Sequence, residues 1–340
     1  MTHPRIGFCC KYLLDTAEKK PKKIVEDESL LNCKTTTVAW LNRQTRGVAE
    51  DRLWSIAKYN LETVQRVLNI VATWEPNLRM MRLGSELFPV YTENSWRYFW
   101  QQPDVRAYLE QEFAKIGEFA RANDIRLSFH PGQYCVIASY NPDIVQRSIE
   151  EFEYHTDMAR WMGYGNGWHD HGFKINVHLS GKGGPDKFLQ SLGRLTPEAR
   201  NLIAIENDEI TNGLDVVLGV SHCVPITLDI HHHWVKTGEY INPDDSRAQR
   251  VLDSWRGTRP VLHYSVSRED LLVGHDPDTR PDLEQLLSRG ITRSKLRAHS
   301  DFYWNNAVNQ YALTFADRWD IQCEAKGKNL ARDQVTALFS

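Results

Sequence analysis

Six apolar, strand-like runs of this chain end with a residue that can bind a metal ion. The runs are short and rich in Ile, Val, Leu and Phe, and an imidazole or a carboxylate stands at the exit of each. The residues at these exits are His130, His178, Glu206, Asp229 with His232, His263 and Glu324. Divalent metals of hard and borderline character bind this mixture of nitrogen and oxygen ligands. The pattern therefore predicts a metal site where the ends of several strands meet.

The number of candidate ligands exceeds what a single ion needs. Glu206 and Glu324 end two separate strands and should approach each other, where two carboxylates repel unless a cation lies between them. His299 offers a further imidazole. Since one ion takes about four to six ligands, the surplus favours two or three ions. Such a cluster stabilises the attacking and leaving oxygens of a displacement at phosphorus. It predicts phosphate-ester hydrolysis, with Glu206, Glu324, Asp229 and His263 as catalytic residues.

Three consecutive histidines follow Asp229 in the segment DIHHH. We interpret this segment as the end of a strand, where successive side chains point to opposite sides. His231 and His232 would then face opposite ways, so that only part of the trio can bind metal. Asp229 and His232 are the pair that could serve one ion or two neighbouring ions.

Strand-like and helical segments alternate along the whole chain. Glu50–Val71 carries apolar residues at intervals of three and four, as do Asp104–Ala122 and Asp143–Met162, for which Asn141 is the expected N-cap and Pro142 the first helical residue. Eight such alternations favour a single-domain α/β fold over residues 1–340, a closed (β/α)8 TIM barrel whose active site lies at the carboxyl ends of the strands. The apolar runs are Arg5–Cys9, Leu78–Gly84, Arg126–His130, Lys174–His178, Leu202–Glu206, Pro225–His231, Pro260–Tyr264 and Asp320–Ala325.

Composition narrows the class of protein. With 41 basic and 44 acidic residues, the chain is not a histone-like binder, although bound divalent ions would neutralise several carboxylates and leave a more basic surface. The six cysteines show no CxxC spacing and are expected to be reduced. Neither a signal segment nor an apolar run of about 18 residues occurs. A soluble, cytoplasmic protein is predicted.

One long polar stretch interrupts the alternation between the seventh and eighth runs. Residues 266–292, which include SREDLLVGHDPDTRPD, are typical of a loop insertion. The insertion leaves two candidates for the imidazole of this part of the chain: His299, which follows the insertion, and His275, which lies within it, as the alternative.

Ten motifs, taken together, resemble the UV damage endonuclease family, barrel enzymes of the xylose-isomerase-like superfamily that are related to apurinic-site endonucleases. FHPGQY, IENDE and EAKGK are the most specific of them, and their order and spacing cover nearly the whole chain. The motifs are RIGFC, KYNLETVQRVL, RMMRLGSELFP, SFHPGQY, INVHLSGK, IENDE, LDIHHH, HYS, AHSDFYW and EAKGK.

The resemblance implies a DNA repair endonuclease. Its members hydrolyse the phosphodiester immediately 5′ of UV photoproducts, and other distorting lesions or abasic sites are further expected substrates. The implied cofactors are two or three divalent ions, with Mn²⁺ preferred and Mg²⁺, Co²⁺ or Zn²⁺ as alternatives. The implied partner is damaged double-stranded DNA, bound by a monomer at the nucleoid and not at a membrane. The implied metal ligands are His130, His178, Glu206, Asp229, His232, His263, His299 and Glu324.

Five residues are expected to contact DNA or the lesion. Gln133 and Tyr134 match the family's pair that enters the duplex, where an amide and a phenol can fill the gap left by displaced bases. The alternative is that both only cap their loop. Phe8 and Tyr12 stand where the family often has tyrosine and asparagine. Lys326 would face a phosphate or, alternatively, solvent.

Two other functions remain open from the sequence. A sugar isomerase or epimerase uses the same barrel with similar ligands, but the excess of histidines and the FHPGQY motif argue against it. A catalytically silent DNA-damage binding protein is the second alternative, because Phe8 departs from the family and Val261 stands where some members carry a lysine. Retention of every candidate ligand favours the nuclease.

Overall fold

Eight short parallel strands form a closed barrel in the computed structural model, which describes residues 4–15, 21–132, 134–168 and 170–338. Neighbouring strands pair in chain order, and β8 pairs with β1 to close the ring. Each strand lies inside one of the eight apolar runs, so the predicted (β/α)8 barrel is confirmed. The strands are β1 Ile6–Cys9, β2 Met80–Arg82, β3 Arg126–Phe129, β4 Lys174–His178, β5 Ile203–Glu206, β6 Ile226–Asp229, β7 Val261–Tyr264 and β8 Asp320–Cys323.

Helices connect the strands and cover the outside of the barrel. Among the residues that the structure describes, four short 3₁₀ turns lie between them, at Pro76–Leu78, Asp170–Gly172, Leu218–Val220 and Glu269–Leu271. In the described part of the chain, the α-helices are α1 Pro21–Ser29, α2 Val38–Leu41, α3 Arg46–Ala72, α4 Arg97–Trp100, α5 Pro103–Ala122, α6 Pro142–Trp161, α7 Gly184–Leu192, α8 Pro197–Leu202, α9 Leu214–Val217, α10 Ile230–Thr237, α11 Ser246–Ser254, α12 Leu283–Ser288, α13 Arg293–Leu296, α14 Asn306–Leu313 and α15 Lys328–Thr336.

The three long helices occur where the periodicity predicts them. The side chain of Asn141 accepts hydrogen bonds from the amides of Asp143 and Ile144 and so caps α6, as expected. The apolar stripe of α3 faces the barrel, because every residue of the stripe is buried. These residues are Leu53, Ile56, Ala57, Leu61, Val64, Val67, Leu68 and Val71.

The DIHHH segment differs from the prediction. β6 ends at Asp229, and the three histidines belong to the first turns of α10 rather than to a strand. The reason is the side chain of Asp229, which accepts a hydrogen bond of 2.7 Å from the amide of His232 and thereby caps a helix. The alternation argument for His231 and His232 was therefore wrong, since helical periodicity applies there.

The polar stretch 266–292 folds onto the barrel. Ser267, at its start, forms an antiparallel bridge with His299; α12 lies within the stretch, and α13 directly follows it. The stretch and α13 pack on α10 through a second hydrophobic cluster. It consists of Trp234, Val235, Leu272, Leu283, Leu286 and Leu296. That this stretch is an insertion stays a prediction.

No described helix is long and apolar enough to cross a lipid bilayer. All six cysteines are free, and Cys9, Cys135 and Cys323 are buried in the core.

Candidate metal centre

One end of the barrel collects the polar side chains predicted from the strand exits. Three of them are the last residues of β4, β5 and β6, one lies in β7, and two directly follow β3 and β8. Since all eight strands are parallel, their carboxyl ends form one face, and the side chains converge there. In strand order these residues are His130, His178, Glu206, Asp229, His263 and Glu324.

Glu206 lies at the middle of the group and is fully buried. Its Oε2 atom is 3.2 Å from Nε2 of His130 and 3.0 Å from Nδ1 of His263. Its Oε1 atom is 3.2 Å from Nδ1 of His232 and 3.5 Å from Nε2 of His178. One carboxylate thus contacts four imidazoles that come from four different parts of the chain.

Glu324 approaches the centre from the β8 side. Its Oε1 atom is 3.3 Å from Nδ1 of His263, the nitrogen that also contacts Glu206, so the two glutamates converge as expected. Arg82, at the end of β2, forms an ion pair with the Glu324 carboxylate. The backbone carbonyl of Glu324 accepts a hydrogen bond of 3.1 Å from Nδ1 of His299.

Asp229 and His232 are held by the turn between β6 and α10. While Oδ1 of Asp229 caps the helix, Oδ2 lies 3.5 Å from Nδ1 of His232. The Asn207 side chain donates to the carbonyl of Asp229 and accepts from its amide, both at 2.9 Å. Glu209 places Oε2 at 3.7 Å from Nε2 of His232. This turn is therefore fixed on both sides.

Three overlapping groups of described residues offer ligand atoms that lie within 4.8 Å of one another. Two groups share Glu206 and two share His263, so ions held by them would be neighbours bridged by common side chains. His299 belongs to none of the three, although its ring lies 6.3 Å from the ring of His232. The groups are His130 with Glu206 and His263, His178 with Glu206 and His232, and Asp229 with His263 and Glu324.

Within the described part of the chain, several buried polar atoms of the centre lack a hydrogen bond, which fits a bound cation. Among the described residues, Oε1 of Glu206, Oδ2 of Asp229 and Nδ1 of His263 are buried and have no hydrogen bond, which is costly unless an ion completes them. In three histidines Nδ1 also lies within hydrogen-bond distance of a main-chain carbonyl, a contact that favours the Nδ1–H tautomer and directs Nε2 toward a metal. These pairs are His130 with Pro131, His232 with Asn207 and His299 with Glu324.

The pKa values of the candidate ligands shift in both directions: Glu206 and His178 shift toward the form that binds metal, whereas Asp229, His232 and His263 shift toward the protonated form. Burial by itself raises the pKa of Glu206, but the positive potential of His263 and the hydrogen bonds of neighbouring imidazoles bring it well below its usual value. Burial lowers the pKa of His178 to about 4, so its imidazole is neutral at pH 7. For Asp229, burial raises the pKa to about 7. An ionised carboxylate and a neutral imidazole are the forms that bind metal.

The other candidate histidines lie outside the centre. Nε2 of His231 is 3.2 Å from the carbonyl of Leu296, and Nε2 of His233 is 3.0 Å from Glu239. His275, the alternative to His299, contacts the carbonyl of Thr279 within the polar stretch 266–292. His299 is therefore the imidazole that lies beside the centre, and its role as a ligand stays a prediction.

The expected DNA contacts divide into exposed and buried residues. Tyr134 is 85% exposed on the loop after β3. Lys326 is about half exposed and lies 3.4 Å from Asp301 at the rim. Gln133 lies outside the described residues. DNA contact by Tyr134 and Lys326 stays a prediction.

The structure contradicts the expected DNA contact of Phe8. It is fully buried, with its ring 5.7 Å from that of Trp74 and 6.2 Å from that of Tyr12. A side chain between the sheet and its covering helices cannot reach DNA, so this prediction was wrong. Tyr12 is half-buried and stacks on Trp74 at 6.2 Å, and its contact with DNA stays a prediction.

Sequence reasoning missed four residues around the ligands. Asn176 donates to Oε2 of Glu206, and Arg82, Asn207 and Glu209 act as described above. Asn176 could have been found, because it stands two positions before His178 and so shares its face of β4. Arg82 is a charged residue at the exit of an apolar run, which is the same signal that identified the histidines.

Comparison with known families decides the functional class of this barrel. A family model described as UV-endonuclease UvdE matches residues 5–338. This chain belongs to the UV-endonuclease UvdE family. The family resemblance inferred from the ten motifs is thereby confirmed, and so is the prediction of a DNA-repair endonuclease.

Individual UvdE relatives are moderately similar. The UV DNA damage endonuclease of Clostridium perfringens strain 13 is 31% identical over 209 residues, which cover 58% of this chain and 47% of that protein. Thus the match spans about half of that relative. The UV DNA damage endonuclease of Bacillus velezensis is 26% identical over 311 residues, which cover 88% of this chain and 86% of that protein.

Solved structures share the barrel of this UvdE family member. The crystal structure of SacUVDE superposes with a TM-score of 0.71 at 22% identity, covering 99% of this chain and 98% of that one. Endonuclease IV from Thermus thermophilus superposes with a TM-score of 0.52 at 12% identity, covering 99% and 97%. At these identities the likeness concerns the fold.

Proposed function

We propose that this chain nicks damaged duplex DNA immediately 5′ of UV photoproducts, using two or three divalent ions, with manganese preferred. The observation that carries the proposal is the set of three overlapping ligand groups that share Glu206 and His263. Shared ligands hold ions side by side, and adjacent ions suit a displacement at phosphorus. The relatives named as UV DNA damage endonucleases support the choice of substrate.

The ions would be held by His130, His178, Glu206, Asp229, His232, His263 and Glu324, with His299 at the edge. When bound, they supply Lewis-acid stabilisation of the charge that develops on the phosphate oxygens, and they activate water at neutral pH.

The protein's own contribution is to orient the ligands. Asn176 donates to Glu206 and fixes the plane of that carboxylate. Arg82 holds Glu324 against His263, and its fixed positive charge favours an anionic phosphate at the β2 side of the centre. Preorganised ligands need no rearrangement when the substrate arrives. Glu206, Glu324, Asp229 and His263 are the proposed catalytic residues.

Damage would be recognised through ease of distortion. A photoproduct or other bulky lesion weakens stacking, so displacing its bases costs less than displacing sound bases. Tyr134 is 85% exposed and is available to fill the resulting gap. Little dependence on the surrounding base sequence is expected.

The test is incubation of purified protein and Mn²⁺ with an end-labelled duplex that carries one pyrimidine dimer. The expected product is a single nick directly 5′ of the dimer, with a 3′-hydroxyl and a 5′-phosphate. An undamaged duplex of the same sequence is the control, and elemental analysis of the loaded protein should find two or three ions per chain.

Two outcomes would overturn the proposal. Binding of the damaged duplex without a nick would identify a silent damage-binding protein. Turnover of simple ketoses without any action on DNA would identify a sugar isomerase or epimerase.

A further inference from the structure

Two segments run side by side outward from the candidate metal centre, residues 299–302 and residues 324–327. Each begins at a candidate ligand, and three hydrogen bonds join them. These bonds link His299 to Glu324 at 3.1 Å, Ser300 to Lys326 at 3.0 Å and Asp301 to Gly327 at 2.8 Å. Whatever stands at the outer end of this ladder is therefore held at a fixed distance from the ligands.

Phe302 stands at that outer end and is 43% exposed. The next residue, Tyr303, is buried, donates to the carbonyl of Tyr264 at 2.9 Å and accepts from the amide of Glu324 at 3.0 Å. Trp304 is half-buried and donates to the carbonyl of Ser267. Both neighbours are anchored in the protein, while a large part of the Phe302 ring faces solvent.

The ring of Phe302 rests on Gly327. A Cβ atom at position 327 would lie 3.0 Å from Cε1 of Phe302 and 2.7 Å from the carbonyl oxygen of Asp301. Because Gly327 has no side chain, the Phe302 ring can pack directly against its backbone. The adjacent Lys326 is 53% exposed, and its Nζ atom lies 3.4 Å from Oδ1 of Asp301, the residue before Phe302, so an ammonium group stands at the same end of the two segments.

A single exposed apolar side chain needs no functional explanation. Phe302 differs because hydrogen bonds tie its segment to the candidate ligands and because Lys326 lies in the facing segment, paired with Asp301. An aromatic face beside a positive charge is the arrangement that binds a nucleobase and its flanking phosphate. Tyr134, in the loop after β3, lies on a different part of the rim from Phe302, which lies next to β8.

We propose that Phe302 is a second DNA-positioning residue, which stacks on a nucleobase next to the cleaved phosphodiester while Lys326 contacts the adjoining phosphate. The inference rests on the proposed action on damaged duplex DNA. Its function would be to hold the strand against the ion centre from the β8 side.

The experiment measures binding in the Glu206→Gln background, in which the DNA should stay intact. The probe is a dimer-containing duplex with 2-aminopurine beside the expected nick, followed by anisotropy and by 2-aminopurine fluorescence. Adding Phe302→Ala should weaken binding about tenfold and remove the fluorescence quenching that stacking causes. Phe302→Trp should retain both. In the wild-type background, Phe302→Ala should raise KM more than it lowers kcat.

Leu338→Ala is the matched control. Leu338 is also an exposed large apolar residue, at 40%, but it follows the end of α15, which runs from the ligand face toward the opposite end of the barrel. Its loss should leave binding and fluorescence unchanged.

Phe302→Leu separates stacking from packing, because it keeps an apolar side chain on Gly327 without an aromatic face. It should weaken binding as alanine does, with metal content unchanged. If the leucine variant binds like its parent, Phe302 does not stack on DNA. If the wild type neither binds nor nicks the damaged duplex, the proposed function itself fails. Normal nicking by the wild type with normal binding by Phe302→Ala would overturn only the present inference.

Discussion

At the scale of single residues, Glu206 organises the candidate centre. A fully buried carboxylate is costly unless charged or hydrogen-bonding groups surround it. Here four imidazoles and the amide of Asn176 do so, and Oε1 still has no hydrogen bond among the described residues. The side chain is therefore suited to bridging two ions, and its replacement should separate chemistry from DNA binding.

Glu206→Gln should lower the rate of cleavage by at least about a hundredfold. The glutamine keeps the shape but loses the charge that joins two ligand groups, so the protein should also lose at least one ion. DNA affinity should change less than about twofold, because phosphate contacts at the rim supply it. Single-turnover cleavage, anisotropy and elemental analysis measure the three effects.

Glu151→Gln is the control for that variant. Glu151 is a half-buried glutamate on α6 that contacts Thr92 and lies away from the ligand groups. Full cleavage by the Glu206 variant would show that Glu206 does not bridge ions.

His155 makes the stability of the fold depend on pH. Burial lowers the pKa of this α6 histidine to about 4, below its value in the unfolded chain. A depressed pKa contributes stability that is present above about pH 6.5 and is lost as the pH falls toward 4. Over that interval the free energy of unfolding should fall by up to about 3 kcal/mol through His155.

Urea unfolding of the wild type and of His155→Gln at pH 7 and pH 5 measures this effect. The difference in unfolding free energy between the two proteins should shrink as the pH falls, because the variant has no proton to take up at this position. Parallel curves for the two proteins would contradict the prediction.

At the scale of elements, helices differ in how closely they approach their neighbours. Gly117 lies on the buried face of α5, where a Cβ atom would be only 1.9 Å from the carbonyl oxygen of Met162 at the end of α6. These two helices precede and follow β3, the strand that leads into His130. Gly47, near the start of α3, has no atom within 4 Å of such a position.

Gly117→Ala should therefore destabilise the fold by about 3 kcal/mol or more, because backbone atoms must move apart. Gly47→Ala should instead stabilise it by up to about 1 kcal/mol, since alanine favours a helix and meets no obstacle. Chemical denaturation of both variants checks the two signs, and equal effects would show that the close contact of α5 and α6 does not control stability.

At the scale of the whole molecule, the barrel brings together ligands that lie far apart in the chain. His130 and Glu324 are 194 positions apart, yet His130 contacts Glu206 directly and Glu324 reaches it through His263. Metal binding is therefore linked to closure of the barrel, and ions that bind only the folded chain stabilise it.

Chelation should lower the melting temperature of the loaded protein. The loss corresponds to about 2.7 kcal/mol when the free ion stands at a hundred times its Kd. Because the ligands must be deprotonated, the difference in melting temperature between loaded and chelated protein should increase from pH 5 to pH 8. Calorimetry with added Mn²⁺ or EDTA measures it, and a gap that does not change with pH would argue against histidine and carboxylate ligands.

Local patterns in the sequence are sufficient for the barrel and for most candidate ligands. A buried strand can expose a polar side chain to a cavity only at its end, so polar residues occur at the strand exits. The apolar runs therefore identified both the strands and seven side chains that converge. The N-cap of α6 could likewise be predicted from the sequence, since Asn141 and Pro142 act on adjacent residues.

Contacts between distant segments were decided only by the tertiary structure. Phe8 lies in β1 and Tyr12 follows it, but whether such residues face the helices or the substrate depends on packing against Trp74. The ion pair of Arg82 with Glu324 joins residues 242 positions apart. The sequence alone thus determined which side chains reach the carboxyl face of the barrel, because strand exits and periodicity are local. Which of them share a ligand group, and which lie in the core, follows from long-range packing that no local pattern encodes.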